Sequence, residues 1–536
     1  MNIHFADAWE RVAATYPDRT AVVCDGKGLS WREYEHRAAK FARVLSDAGL
    51  TTNSKVGIYL HNCNEYQEAQ FGVLKIGGCP INVNYRYKSD ELVYLLENSD
   101  AEAVVYQASY AMRIWEIKDR LPNIKLFVQV NDGTEALMNF AVDYERCLRD
   151  VTPMPAQERD PNGVYMFYTG GTTGLPKGVM YPVGEFADFF ITMGAAGQEL
   201  TPPTSLAEYE DFLAQAQAPT TVVGCPLMHG TGMWLGGFLP HLLGGTSVTT
   251  AKLGLDPHLL WSMVEDQRAT DLIIVGDAFA RPLLEALDGA DARNTPYDIS
   301  SLRQITSSGV MWSQETKQGL LAHHDMILAD IMGSTEGGMG SSITTRETDA
   351  TKTASFTLNE GVKVFTEEGD EVRPGSEVIG KIATSGMVPL GYYKDEAKSA
   401  ETFKEIDGVR YSFPGDFATV EADGSITLLG RGSVCINTGG EKVFPEEVEE
   451  AVKKHADVVD CLVVGVGDER FGQKVVAVAS RVDNSELDVE DLIAFSKDHI
   501  AGYKAPREVV WVDRVQRAPN GKADYKWAAK QAERLS

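Results

Sequence analysis

The run Tyr168-Thr169-Gly170-Gly171-Thr172-Thr173-Gly174-Leu175-Pro176-Lys177-Gly178 puts four glycines, three threonines and one lysine into eleven residues. Such a loop can turn backbone N–H groups and hydroxyls toward one centre, with a mobile cation beside them, as phosphate oxygens require. A plain Gly/Thr turn with an exposed lysine has the same composition, and the loop by itself leaves both readings open. It is not a Walker A loop, which needs Gly-Lys followed by Ser or Thr, because Leu175-Pro176 separates Gly174 from Lys177. Further along stand Gly333-Ser334-Thr335-Glu336, Pro414-Gly415-Asp416, Arg431 and Pro519-Asn520-Gly521-Lys522, with one histidine, His229, in a glycine-rich turn. Taken singly, each is ordinary. Asp416 suits a turn, Glu336 a helix N-terminus, Lys522 a solvated surface and His229 a packed interior.

These residues are spread over 536 positions, more than one hydrophobic core serves, so at least two domains are expected. A composition of 43% hydrophobic and 24% charged residues is that of a soluble globular protein. No apolar run reaches about 18 residues, so no membrane-spanning helix is expected and any membrane contact is peripheral. The first ten residues lack the basic head and apolar run of a secretory signal. A net charge of −27 argues against nucleic-acid partners; an anionic substrate must be met by a few placed cations. Seven scattered cysteines without metal-ligand spacing read as reduced thiols in a cytoplasmic protein.

The elements that must position these groups are legible from periodicity. A helix over 5–16, a strand over 20–24, and Ser30 with Glu33 as a capping box opening a helix to about Ala48 begin the chain. Strands over 56–60, 80–84 and 103–106 alternate with helices, the one ending at Lys75 stopped by Gly77-Gly78. This alternation predicts an α/β fold of mostly parallel sheets flanked by helices, with ligands at the carboxyl ends of strands. Val164–Phe167 reads as a buried strand feeding the loop, and strands at 222–223, 272–275, 304–307 and 326–332 each run into glycines, as walls of one cleft. Residues 205–213 read as a helical insertion, a lid or partner surface or simply an excursion. From about 355, short strands and the Asp423-Gly424 hairpin signal predict a β-rich subdomain. Beyond 431 a compact α+β pattern predicts a separate C-terminal domain, giving 1–430, a linker at 431–434 and 435–536.

Set in series, the Thr169–Lys177 loop, Gly333-Ser334-Thr335-Glu336, Pro414-Gly415-Asp416, Gly430-Arg431 through Glu449, and Pro519-Asn520-Gly521-Lys522 resemble the adenylate-forming superfamily. That superfamily includes acyl-CoA synthetases, firefly luciferases and peptide-synthetase adenylation domains. The resemblance covers nearly the whole chain, and Gly430–Lys442 is most similar to fatty-acyl and steroid-side-chain CoA ligases of the FadD type. It implies a large N-terminal domain and a small mobile C-terminal one, with ATP, Mg²⁺ and CoA as cofactors. It also implies two steps: a carboxylate attacks the α-phosphate of ATP, and then the CoA thiol attacks the acyl carbonyl.

By the same resemblance Thr169, Gly170, Gly171, Thr172, Thr173, Gly174 and Lys177 hold the β- and γ-phosphates. Thr335 meets the α-phosphate and Glu336 holds Mg²⁺. Ser308, Gly309, Asp330, Ile331, Met332, Gly333 and Ser334 surround the nucleotide, with Asp330 accepting from the adenine amine. Asp416 and Arg431 take the ribose hydroxyls. Lys522 bridges carboxylate and α-phosphate, a point charge on a flexible stem. After rotation of the C-terminal domain, Gly439, Gly440, Glu441 and Lys442 line the pantetheine tunnel. Three positions depart from the family pattern: Ser433 at the usual Asp or Lys hinge, Met332 for the adenine-stacking aromatic, and Phe413-Pro414-Gly415-Asp416 for Arg-Thr-Gly-Asp.

The acyl pocket is expected between the His229 turn, Gly309 and Gly337-Gly338, lined by His229, Met233, Trp234, Val310, Met311, Met332 and Met339, with Gly309 and Gly337-Gly338 leaving room for a bulky tail. His229 is also counted with Lys522, Thr335 and Glu336 among the catalytic candidates. An apolar lining fits an aliphatic or alicyclic acid better than an amino acid, although the methionines also suit plain core packing. Delivery to a carrier protein is the second reading; with 14 residues after Lys522 no carrier domain is expected to follow. A homodimer is the assembly allowed for.

Overall fold

The computed structural model describes residues 2–169, 175–347, 354–438, 441–468, 472–500, 502–518 and 521–535. Residues 170–174 of the expected phosphate loop and Gly439 and Gly440 of the expected tunnel lie outside the described residues, as do the side chains of Ser433, Glu441 and Lys442.

Two parallel sheets form the frame. The runs Lys55–Tyr59, Cys79–Asn82, Ala101–Gln107, Leu126–Val130 and Val142–Asp143 form one of them, with Cys79–Asn82 at an edge. Their near-continuous apolar character suits strands covered on both faces. Helix Asn64–Lys75 makes a crossover and stops at Gly77, whose φ of +69° a side chain would strain. In the second sheet Thr20–Cys24, Thr246–Thr249, Thr220–Val223, Asp271–Ile274, Gln304–Ser308 and Ile327–Ser334 lie parallel in that order. There the direction reverses. Gly337–Thr344 returns antiparallel, and the sheet continues through Ser355–Leu358, Ile426–Arg431, Asp416–Val420 and Gly380–Thr384, the β-rich region. Ser30 and Glu33 form the expected capping box of helix Trp31–Asp47.

A small antiparallel sheet of Val164–Thr169, Lys177–Pro182 and Gly391–Tyr392 brackets the loop. The C-terminal part is built on Val458–Asp468 and Gly472–Arg481, with Glu508–Trp511 parallel to the latter. The fold is therefore α/β, with a β-rich region and a small α+β part at the C-terminal end. The 205–213 segment forms helix Leu206–Gln215 and is packed into the fold, with Tyr209 buried and its hydroxyl donating to the Leu242 carbonyl at 2.7 Å.

Side chains fasten the frame where strand ends meet. Buried Asn82 donates to the carbonyls of Tyr168 (2.8 Å) and Met228 (2.9 Å) and accepts from the Tyr168 N–H (2.7 Å). Asn62 donates to the Cys225 carbonyl at 3.1 Å and accepts from the Leu227 N–H at 2.8 Å. Arg159, just before the loop strand, pairs with Asp7 (2.6 Å) and Glu10 (2.8 Å) of the first helix. Asn82→Ala leaves several buried backbone groups without partners, each worth about 1–3 kcal/mol. It should destabilise the chain by about 2 kcal/mol or more, read as a shift in the urea midpoint at unchanged slope.

Candidate active site

The reversal after Ile327–Ser334 makes a tight hairpin. Ser334 pairs with Gly337, so Thr335 and Glu336 stand at its tip. Two tyrosines from the small antiparallel sheet hold that tip. The Tyr181 hydroxyl donates to the Thr335 carbonyl at 2.9 Å, and the Tyr392 hydroxyl donates to Glu336 Oε1 at 2.8 Å. Lys177, on the same sheet, lies 3.2 Å from Asp395 Oδ2, with its ammonium 5.2 Å from the Tyr392 ring centre.

A second hairpin, turning at Asp423-Gly424, sets Asp416 directly across from Arg431. Arg431 Nε donates to Asp416 Oδ1 at 3.3 Å, while Asp416 Oδ2 is buried and meets no donor. Burial pushes this carboxyl above its ordinary range although Arg431 pulls it down. A buried acceptor oxygen without a donor fits a hydroxyl-bearing ligand, as the expected ribose is.

Lys522 reaches the same place from the far end of the chain. Gly521 (φ +71°) lies against Ala278, Phe279 and the Val275 carbonyl, and a Cβ there would sit 3.1 Å from the Ala278 methyl. Arg517 makes two 2.7 Å hydrogen bonds to Asp460 and donates to the Gly521 carbonyl at 3.2 Å, tying the turn to the C-terminal sheet. Lys522 Cε lies 3.6 Å from where a Cβ of Gly309 (φ +93°) would stand. Burial and the charge of Arg431 push the Lys522 ammonium below an ordinary lysine, while Glu336 and Asp416 pull it up. These four charges act on one another. Burial, then Lys522 and Arg86, push His229 down to about 3, so its imidazole is neutral near pH 7. Its Nε2 is buried and without a partner.

Other expected residues fall in different surroundings. Asp330 is buried, with its Oδ2 3.3 Å from Lys317 Nζ, and burial pushes its carboxyl up to about 6 against the pull of Lys317. Its carboxylate is thus shared with the helix Gln314–His323. Ile331 pairs with Ser308 across the ladder, and the Ser308 carbonyl accepts from Thr231 Oγ1 at 3.5 Å. Met332 and Met339 are core residues of the β-rich region, packed with Phe356, Val364 and Ile382, which corrects their placement beside the acyl pocket. A Cβ at Gly337 would meet Thr384, and one at Gly338 would approach Asn359, so the space these glycines keep lies toward the β-rich region rather than the His229 turn. The π-helical stretch Thr231–Phe238 buries Met233 in the main core. Trp234 donates to the Tyr165 hydroxyl at 3.2 Å and packs on Phe167 and Phe186. Val310 and Met311 are half-buried.

Glu336 is the carboxylate suited to a divalent cation, and among the described residues no cluster of three or more His, Cys, Asp or Glu could hold a metal. That donor set fits Mg²⁺ bound through one carboxylate and substrate phosphates. Asn62, Asn82, Tyr181, Tyr392 and Asp395 were not singled out from sequence. Each acts through a partner far along the chain, which no local spacing signals.

Gly430 meets the C-terminal part closely. A Cβ on Gly430 (φ +116°) would collide with the Glu446 carboxylate in the first turn of helix Pro445–Lys453. Glu446 Oε2 is buried without a partner, and burial with the neighbouring Glu449 pushes the carboxyl well up. A raised carboxyl is most at ease protonated, so this contact weakens as pH rises above the ordinary carboxylate range. Glu446→Gln, neutral throughout, should gain stability relative to the unsubstituted chain as pH rises, with the smallest gap at acid pH. Thermal unfolding over a pH series checks this; a pH-independent difference contradicts it.

Comparison with known proteins places this geometry. Residues 9–393 match the AMP-binding enzyme family and residues 447–522 its C-terminal domain family. The 3-oxocholest-4-en-26-oate–CoA ligase of Rhodococcus rhodochrous is 39% identical, covering 99% of this chain and 96% of that protein. The medium/long-chain-fatty-acid–CoA/3-oxocholest-4-en-26-oate–CoA ligase of Mycolicibacterium smegmatis is 40% identical over 98% of this chain and 96% of its own. The crystal structure of the anthranilate CoA ligase AuaEII with anthranoyl-AMP superposes with a TM-score of 0.84 at 22% identity, covering 100% of this chain and 99% of that one.

Proposed function

The chain belongs to the AMP-binding enzyme family, and from that membership we propose that it is an AMP-forming acyl-CoA ligase. It activates an apolar carboxylic acid, a medium- or long-chain fatty acid or an alicyclic or steroid side-chain acid, with ATP and Mg²⁺ and transfers the acyl group to CoA. The observation that carries the reading is the convergence of Lys522 on Glu336, Asp416 and Arg431. Its relatives, named for fatty-acid and cholestenoate ligation, support the acid class. So do the aromatic and apolar surroundings of Trp234.

In the first step two anions must meet, and their repulsion is the barrier that placed cations lower. Lys522 is set to bridge the attacking carboxylate and the α-phosphate. Thr335 meets that phosphate, and Lys177 takes the departing pyrophosphate. Asp416 Oδ2 accepts from a ribose hydroxyl, and Arg431 steadies the carboxylate beside it. Glu336 would hold Mg²⁺, which when bound would supply positive charge against that of the phosphates. Neutral His229 offers an uncharged wall with one polar atom to the acyl group and needs no proton exchange. For the second step Lys522 must leave if CoA is to enter from its side. We therefore place the hinge at 431–434, between domains 1–430 and 435–536, with 439–442 brought to the pantetheine. A cytoplasmic location goes with this reading and suits the buried thiols Cys24, Cys63, Cys79, Cys225 and Cys461.

Incubation with ATP, Mg²⁺, CoA and a panel of carboxylic acids, reading pyrophosphate and thioester, tests the proposal. Pyrophosphate without thioester favours a carrier protein as acceptor, and neither product with any acid overturns the ligase reading. Lys522→Ala should slow pyrophosphate formation on the order of 100-fold and leave thioester formation from supplied acyl-AMP much less affected. Equal loss in both half-reactions would contradict domain alternation.

A further inference from the structure

The three-stranded sheet does more than bracket the loop. Strand Lys177–Pro182 carries Lys177 at one end and Tyr181 near the other, and its partner Gly391–Tyr392 pairs Tyr392 with Val179. Tyr392 is buried, packed on Phe403 at 5.3 Å, and its N–H donates to Ser399 Oγ at 2.8 Å. Its ring and hydroxyl are therefore held from several sides. Its hydroxyl donates to Glu336 Oε1, and its face lies under the Lys177 ammonium. Burial and the Glu336 charge push the phenol above its ordinary value, so it remains a donor at every working pH. Asp395, three residues on, caps helix Glu396–Thr402 by accepting from the Lys398 N–H at 3.0 Å and is thereby fixed where it meets Lys177.

We propose that Tyr392 is a positioning residue for the first half-reaction: its hydroxyl fixes Glu336 with Oε2 left for the divalent cation, while its ring supports Lys177. The inference rests on the ligase reading for the cation's role, though the contact itself does not. A partner that orients a metal-binding carboxylate typically contributes about 10- to 100-fold to metal affinity. One rigid ring would thus keep the cation site and the pyrophosphate lysine at a constant separation.

Tyr392→Phe keeps the ring and deletes the hydroxyl. With the full chain and a non-hydrolysable α,β-methylene ATP analogue, Mn²⁺ binding followed by electron paramagnetic resonance should weaken about 10-fold or more. Analogue affinity at saturating Mn²⁺ should hold, because the ring under Lys177 remains. In a Glu336→Gln background the same substitution should add nothing. Pyrophosphate formation should fall while thioester formation from supplied acyl-AMP does not, a split that general loosening of the fold would not produce. Unchanged Mn²⁺ affinity in Tyr392→Phe, or equal loss with and without Glu336→Gln, overturns the proposal. If that variant does not fold, Tyr392→Met, which has neither ring nor hydroxyl, is read by the same two criteria. A wild-type chain that makes no pyrophosphate from any acid would remove the ligase reading, while the Mn²⁺ comparison would still decide the role of Tyr392.

Discussion

Buried backbone groups where chain segments meet at strand ends need partners, and this constraint governs how the site is built. At the junction of the sheets the strand into the Gly/Thr loop, the His229 turn and the edge strand Cys79–Asn82 all end within reach of one side chain. Asn82 gives both amide donors and its acceptor to the first two. An amide is the side chain that can do this, since donor and acceptor are needed together and a charge there would be costly to bury. With that joint closed, the loop strand and the His229 turn hold a constant separation, and Asn62 repeats the device one strand over.

From that joint the rest follows by leverage. The loop strand is one of three in an antiparallel sheet that also carries Lys177, Tyr181 and Tyr392, and through them it sets the Thr335-Glu336 tip. The tip exists because the large sheet changes direction after Ile327–Ser334; a further parallel strand would have needed a crossover and could not leave two adjacent residues standing free. The second hairpin uses the same economy, since antiparallel pairing makes Asp416 and Arg431 neighbours without any long-range fit.

What was legible in the sequence divides along this line. Strands, helices, the capping box and the β-rich switch came from periodicity and turn chemistry, which are local. The five motifs told which residues belong together because their order resembles a known family, not because their positions could be derived. The misplacements have a common cause. Met332 and Met339 flank the Glu336 motif in sequence, as pocket lining would, but alternation along a strand turns them into the β-rich core. Gly337 was read as room for a tail, whereas it keeps clear of Thr384. The residues not foreseen, Asn82, Tyr181 and Tyr392 among them, are ordinary in local context and gain their role only from pairing across many tens of residues.

The electrostatics show how a chain of net charge −27 can host an anionic nucleotide. Two of the site's cations already have carboxylate partners, Lys177 with Asp395 and Arg431 with Asp416, and buried Lys317 is likewise paired with Asp330. Cations left bare in the cleft would repel one another; cations with partners are held in place at little cost. On the ligase reading, phosphate arriving at Lys177 replaces or joins Asp395, so binding there is an exchange of anions rather than a new neutralisation, and release of pyrophosphate is eased by the carboxylate waiting beside it. Lys522 differs. Its ammonium is brought in by a separate part of the chain, is pushed down by burial and Arg431, and is held up by Glu336 and Asp416. An ammonium already pushed down gains from a further anion beside it. On the ligase reading, nucleotide and carboxylate in the site favour Lys522 staying there, and that hold loosens once their charges leave as pyrophosphate.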